Sequence, residues 1–396
     1  MRLVTLLLAL LLPADHWWLG DYGFDQITGD GSGVLVAVID TGIDDTHPDL
    51  ENVVVSGKDF SGLGNERGTL PVGPASYHGT MVASLIAGQG KNTGGVIGVA
   101  PGVRIISVSI GLGVQDAQTD DQIAQAVIWA TDQGAKVINL SLTRNSRTWP
   151  ESWDEAFLYA LQRDVVIVAA SGNSPDGIQR PSAPAVMPGV ISVGGLSRTG
   201  SASGTASTVG LGIDLMAPAE ELHGSFPGGE IRSWSGASAA TPLVTGLVAL
   251  MRERDPVASA NDIIQRLLDT ATDLGDPGFD SSFGFGVINP VLAMESAVTT
   301  DRNPLGDLAS WIKLYRPSAV DEPAELVTPD APESVKPIGV LPIAEENQDS
   351  ISTIFQSWWS NPLIYLVLAP LAALLWYSWR RKPRSKPSAN SQEGNS

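Results

Sequence analysis

The chain has no cysteine and only four histidines in 396 residues. The first absence excludes disulfides, thiolate metal sites and a cysteine nucleophile together, and it leaves the redox compartment undetermined. The second limits imidazole chemistry to His16, His47, His78 and His223. Basic residues are also scarce, with 24 Lys and Arg against 43 Asp and Glu and a formal charge of -19. No basic cluster occurs within the first 300 residues, so the electrostatic footprint of a nucleic-acid binder is missing and nucleic acid is not an expected partner.

Location must be read from targeting segments, and both ends of the chain carry one. Arg2 precedes a largely apolar stretch at residues 3–12, and Pro13-Ala14 then offers a small residue for cleavage. Residues 1–14 therefore read as a signal peptide, because ten apolar residues are too few to cross about 30 Å of hydrocarbon. Residues 362–379 carry no charge and are followed at once by Arg380, Arg381, Lys382, Arg384 and Lys386. Trp358, Trp359, Trp376, Tyr377 and Trp379 lie near the two ends of that run, as aromatic belts do. The pattern predicts a single C-terminal transmembrane helix with a basic cytoplasmic tail at 380–396, and hence a single-pass protein whose main domain lies outside the cytoplasmic membrane.

Between the ends, short apolar runs alternate with helical patterns, which predicts a three-layer α/β domain with a mostly parallel central sheet over residues 15–300. Strands are expected at 34–39, 104–109, 137–142, 165–170 and 190–193. Ile123, Ala126, Val127 and Ala130 mark one face of a helix ended by Gly134. Residues 301–361 read as an acidic, Pro-rich linker, although residues 308–314 hold enough apolar side chains to dock on the domain.

Three motifs carry the chemistry: VAVIDTGID around Asp40, HGTMVASLIAG opening at His78, and SGASAATP around Ser238. They supply an acid, a base and a nucleophile. Taken singly, an acidic strand end is equally a turn former, a serine before a helix is equally an N-cap, and His47 in HPDL competes with His78 as a turn residue. The order restricts the set. An α/β-hydrolase needs its histidine after the nucleophile, yet all four histidines precede Ser238. A chymotrypsin-like order requires a β-barrel, which the strand and helix alternation opposes. Ser238 is expected at a helix N-terminus, where the dipole favours negative charge, with Pro242 in the first turn.

The order Asp, His, Ser and the wording of the three motifs resemble the subtilisin-like serine proteases. The resemblance implies that Asp40 orients His78, that His78 activates Ser238, and that Asn173 in AASGN donates to the oxyanion beside the Ser238 N–H. It further implies that Ser141, Leu142, Ala170 and Gly172 border a cleft where a peptide pairs as an added strand. Ala237 and Ala239 depart from the usual nucleophile motif, and Thr143-Arg144 replaces a usual glycine pair, a change expected to narrow the cleft or add charge. Asp49 and the 91–96 loop resemble a calcium-binding region in some relatives, but a bare turn and loop are expected, with no metal and no cofactor. The signal peptide, short segment before Asp40, linker, membrane helix and basic tail are similar to mycosins, membrane-anchored proteases of type VII secretion systems. The absence of cysteine departs from that subgroup. The expected function is a membrane-anchored serine endopeptidase acting on protein or peptide substrates. The alternative is a protease-like structural subunit of a membrane secretion complex with little turnover.

Overall fold

The computed structural model describes residues 16–91, 94–174 and 180–316. The signal peptide, the transmembrane run, the basic tail and most of the linker lie outside the described residues. Among the described residues, no helix is long and apolar enough to cross a membrane.

The chain runs through α1 (Trp17–Asp21), β1 (Leu35–Asp40), β2 (Val54–Asp59), α2 (His78–Ala87), β3 (Arg104–Ser109), α3 (Thr119–Asp132) and β4 (Val137–Leu140). It continues through α4 (Glu151–Leu161), β5 (Val166–Ala170), β6 (Ile191–Leu196), β7 (Leu215–Pro218) and a hairpin, β8 (Leu222–Phe226) and β9 (Glu230–Trp234). Four helices follow: α5 (Ala237–Arg254), α6 (Ala260–Thr270), α7 (Pro290–Glu295) and α8 (Leu308–Tyr315).

Seven strands form one sheet in the order β2-β3-β1-β4-β5-β6-β7, and every pairing in it is parallel. Alternate residues of β1 enter opposite layers. Val36 and Val38 join the apolar cluster that includes α2 and α5, whereas Ala37 and Ile39 join the cluster that includes α3 and α4. This period of two, with both faces covered, explains why the strands read as continuous apolar runs. The expected three-layer α/β architecture is present. Four strands were not foreseen from sequence: β2, β7 and the hairpin strands β8 and β9.

Strand order reverses at β1, which has β3 on one side and β4 on the other. Open parallel sheets bind ligands at the carboxyl edge beside such a switch point. Asp40 ends β1, and Ser141 follows β4, so both stand at this edge.

Helix α8 packs on the domain within the segment expected to be linker. Leu308 is buried in the α3–α4 layer, and Trp311 lies 4.4 Å from Trp149 between ring centres. Arg316 closes the helix end by donating to the Trp149 carbonyl and pairing with Asp154.

Candidate active site

Asp40 is fully buried, and its two carboxylate oxygens each lie 2.9 Å from Nδ1 of His78. The Thr41 N–H also donates to Asp40 at 2.7 Å. This geometry sets Nδ1–H toward the carboxylate and leaves Nε2 as the acceptor nitrogen. Burial acts to lower the His78 pKa, but the Asp40 charge and its hydrogen bond outweigh it, so the imidazole sits above its ordinary value of 6.5. The Trp234 indole stands edge-on to the His78 ring at 5.5 Å, at the base of the β8–β9 hairpin.

The motif residues around this pair tie β1 to α2. Thr41 Oγ1 accepts from Gly79 N–H and donates to the Ser76 carbonyl, while Thr80 Oγ1 accepts from Asp44 N–H. Gly79 is required by close approach, since a Cβ there would collide with the Gly42 carbonyl. The glycine and threonine that follow His78 thus let the helix start press against the strand end carrying Asp40.

Ser238 is the second residue of α5, after Gly236 at φ 155°. Pro242 is the sixth residue of the helix, not part of its first turn as the motif suggested. The displacement arises because the helix starts at Ala237, immediately before the serine. The Ser238 hydroxyl donates to the Ser141 carbonyl at 2.9 Å, so in this rotamer its proton is directed there and not to His78. In return, Ser141 Oγ donates to the Ser238 carbonyl at 3.0 Å. Asn173 accepts from the Ala237 N–H at 2.8 Å through Oδ1, which fixes the amide with Nδ2 as its donor side, beside the start of α5.

Of the expected cleft residues, Ser141 is buried and bonded to Ser238, and Leu142 is buried in the α3–α4 layer. Ala170 ends β5 with its methyl buried, and Gly172 takes φ 111° just before Asn173. Ala237 and Ala239 are buried methyl groups. The charge that Arg144 adds is paired. Its guanidinium forms a paired contact with Asp120 at 2.8 and 2.7 Å and donates to the Thr148 carbonyl, which turns it onto the start of α3.

His47 plays the turn role expected of it. Nδ1 accepts from Asp49 N–H, so Nε2 carries the proton given to the Glu230 carbonyl, and the ring pins the hairpin to the short helical turn Pro48–Leu50. The Asp49 carboxylate receives the N–H groups of Lys91 and Val96 and the Ser225 hydroxyl. These groups act as hydrogen-bond donors to Asp49 and supply no oxygen ligands at those contacts. Among the described residues no group of three or more His, Asp or Glu is arranged to hold a metal ion.

Two residues that bear on the site were missed in the sequence. Asn139 Nδ2 donates to Ser141 Oγ at 3.0 Å, and Thr245 Oγ1 donates to Asn139 Oδ1 at 2.8 Å. An asparagine inside an otherwise apolar buried strand is the available signal, since such a group must find partners.

Comparison with known proteins agrees with this geometry. Residues 31–286 match the subtilase family model. The chain is 35% identical to fervidolysin of Fervidobacterium pennivorans over 68% of its own length, but it spans only 42% of that relative. It is 36% identical to subtilisin Savinase of Lederbergia lenta, covering 65% of this chain and 90% of that one. Among solved structures, MycP1 with its N-terminal propeptide removed superposes with a TM-score of 0.60 at 30% identity, over 74% of this chain and 99% of that chain.

Proposed function

Because the chain belongs to the subtilase family, we propose that it is a serine endopeptidase working through Asp40, His78 and Ser238, with Asn173 as an oxyanion donor. The observation that carries this reading is the buried Asp40 carboxylate held against Nδ1 of His78.

The reaction begins when the Ser238 hydroxyl turns from the Ser141 carbonyl to His78. Oγ attacks the peptide carbonyl carbon, and its proton passes to Nε2. Asp40 stabilises the resulting imidazolium without taking the proton. The carbonyl oxygen becomes an oxyanion between the Ser238 N–H and Asn173 Nδ2, donors placed before charge develops. Collapse breaks the C–N bond, and His78 gives its proton to the departing amine. Water then attacks the acyl-enzyme ester, His78 takes a proton from it, and that proton returns to Ser238 as the acid product leaves. The substrate pairs in extended form beside residues 141–142 and 170–172.

The same reading places the domain outside the cytoplasmic membrane, exported by residues 1–14 and anchored by 362–379. Its substrates are then proteins or peptides met there. A related solved structure is described as MycP1 from the ESX-1 type VII secretion system, at 28% identity and a TM-score of 0.60, which supports a secretion complex as partner. A second reading, a structural subunit with little turnover, is favoured by the Ser238 hydroxyl resting on Ser141.

The test is to treat the purified full chain and its Ser238→Ala variant with a fluorophosphonate probe and to locate the label by mass spectrometry. Labelling confined to Ser238 is expected. A folded chain that stays unlabelled overturns the enzyme reading in favour of the structural one. Co-purification of the full chain with membrane subunits of a secretion system tests the partner.

A further inference from the structure

Ser238 carries a carbonyl that its own helix cannot satisfy. In an α-helix that oxygen accepts from the N–H four residues on, and here residue 242 is proline, which has none. The missing donor comes from the sheet, as Ser141 Oγ donates to the Ser238 carbonyl at 3.0 Å. Ser141 is itself held in the matching orientation. Asn139 Nδ2 donates to Ser141 Oγ at 3.0 Å, which occupies a lone pair and directs the hydroxyl proton onward to Ser238. Thr245 Oγ1 lies 2.8 Å from Asn139 Oδ1 and 3.1 Å from the Thr241 carbonyl, and donation at the shorter distance turns the amino side of the amide to Ser141.

The chain of bonds is shut off from solvent, with Asn139 and Thr245 at 0% and Ser141 at 1% exposure. Asn139 and Thr245 meet inside the apolar layer formed by Val137, Val168, Val244 and Val248. An aliphatic pair of similar shape is the simpler way to fill that layer, because replacing both partners of a buried hydrogen bond by apolar groups is close to neutral for stability. The polar pair therefore calls for a role that packing does not supply.

We propose that Asn139 and Thr245 are positioning residues for Ser238. This inference rests on the serine-protease reading above. Neither residue touches the reacting atoms. They act through Ser141 to fix the Ser238 backbone, and so hold both the nucleophile and its N–H donor in register with His78 and Asn173.

The experiment compares full-chain wild type, Thr245→Val, Thr245→Ser and the double variant Asn139→Leu/Thr245→Val. It measures the rate of fluorophosphonate labelling of the folded protein, kcat and KM on a peptide substrate, and the thermal midpoint. Thr245→Val is expected to slow labelling and kcat by about tenfold to a hundredfold with KM little changed, the size of loss that follows from misplacing a reacting group. Thr245→Ser, which keeps the hydroxyl, is expected to restore the rate. The double variant is expected to regain thermal stability while remaining slow, an outcome that a purely structural pair cannot produce. Variants that label at the wild-type rate while losing only thermal stability overturn the inference and leave the enzyme reading standing. A folded wild type that neither labels nor cleaves overturns that reading, and this inference with it.

Discussion

Ser141 and Ser238 hold each other by two hydrogen bonds running in opposite directions, hydroxyl to carbonyl each way, at 3.0 and 2.9 Å. The first fixes the Ser238 backbone, and the second occupies the hydroxyl hydrogen of the proposed nucleophile. Ser238→Ala removes only the second. The variant is expected to fold with stability within about 1.5 kcal/mol of wild type, the net worth of one hydrogen bond. Turnover is expected to fall by about 10⁶-fold, the loss known for the nucleophile of subtilisin itself. Circular dichroism and peptide hydrolysis on the same preparation separate the two effects, and a variant retaining a tenth of the activity would show that Ser238 is not the nucleophile.

Asn173 has a double assignment in this site. Its Oδ1 accepts from Ala237 N–H, and its Nδ2 is proposed to meet the oxyanion. Asn173→Ala is expected to lower kcat by about 10²- to 10³-fold with KM nearly unchanged, the range found in subtilisin for its side-chain oxyanion donor. Asn173→Asp keeps the acceptor for Ala237 but brings negative charge to a developing oxyanion. Its stability is expected to recover toward wild type while its kcat stays low. Recovery of kcat with the aspartate would remove Asn173 from the oxyanion site.

The activity profile against pH should carry the mark of Asp40. In the proposed mechanism His78 acts as base only when neutral, and Asp40 raises its pKa above the ordinary 6.5 against the opposing effect of burial. The acid limb of kcat/KM is therefore expected above pH 6.5. Asp40→Asn removes the charge that raises the imidazole, so the limb should move to lower pH as turnover falls by about 10⁴-fold. A profile that keeps its midpoint in the variant would mean that another group sets the limb.

Much of the fold is legible in the sequence because each strand of the sheet's middle is buried on both faces. The run at 104–109 matches β3, the 34–39 run is shifted by one residue from β1, the 137–142 and 165–170 runs overrun β4 and β5 by two and one residues, and the 190–193 run stops three residues short of the end of β6. β2 was hidden by its position. It lies at the sheet edge, only Val54 of its six residues is buried, and it includes Lys58 and Asp59. β7 is four residues long and ends in Pro218, which reads as a turn. Local sequence singled out Asp40, His78, Ser238 and Asn173 as candidates because each sits in a distinctive motif at or just beyond an element end. Asn139 had only its place in an apolar strand to mark it and Thr245 nothing, since their bond joins residues 106 positions apart. The pairing of Arg144 was not readable for the same reason, as Asp120 lies 24 positions away.

Asp214 offers a test of stability that does not involve the reaction. Burial pushes its carboxyl up to about 7, and the hydrogen bond from Ser192 N–H at 2.8 Å only partly offsets this. In the unfolded chain the same group ionises near 3.8. Between those two values the folded state keeps a proton that the unfolded state has lost, so its contribution to stability declines as pH rises from about 4 to about 7 and is flat above. Asp214→Asn preserves an acceptor for Ser192 and cannot ionise. The variant is expected to lose that part of the slope and, at pH 8, to melt a few degrees above wild type. Thermal midpoints of the two proteins across pH 4 to 8 give the answer, and equal slopes would show that Asp214 ionises alike in both states.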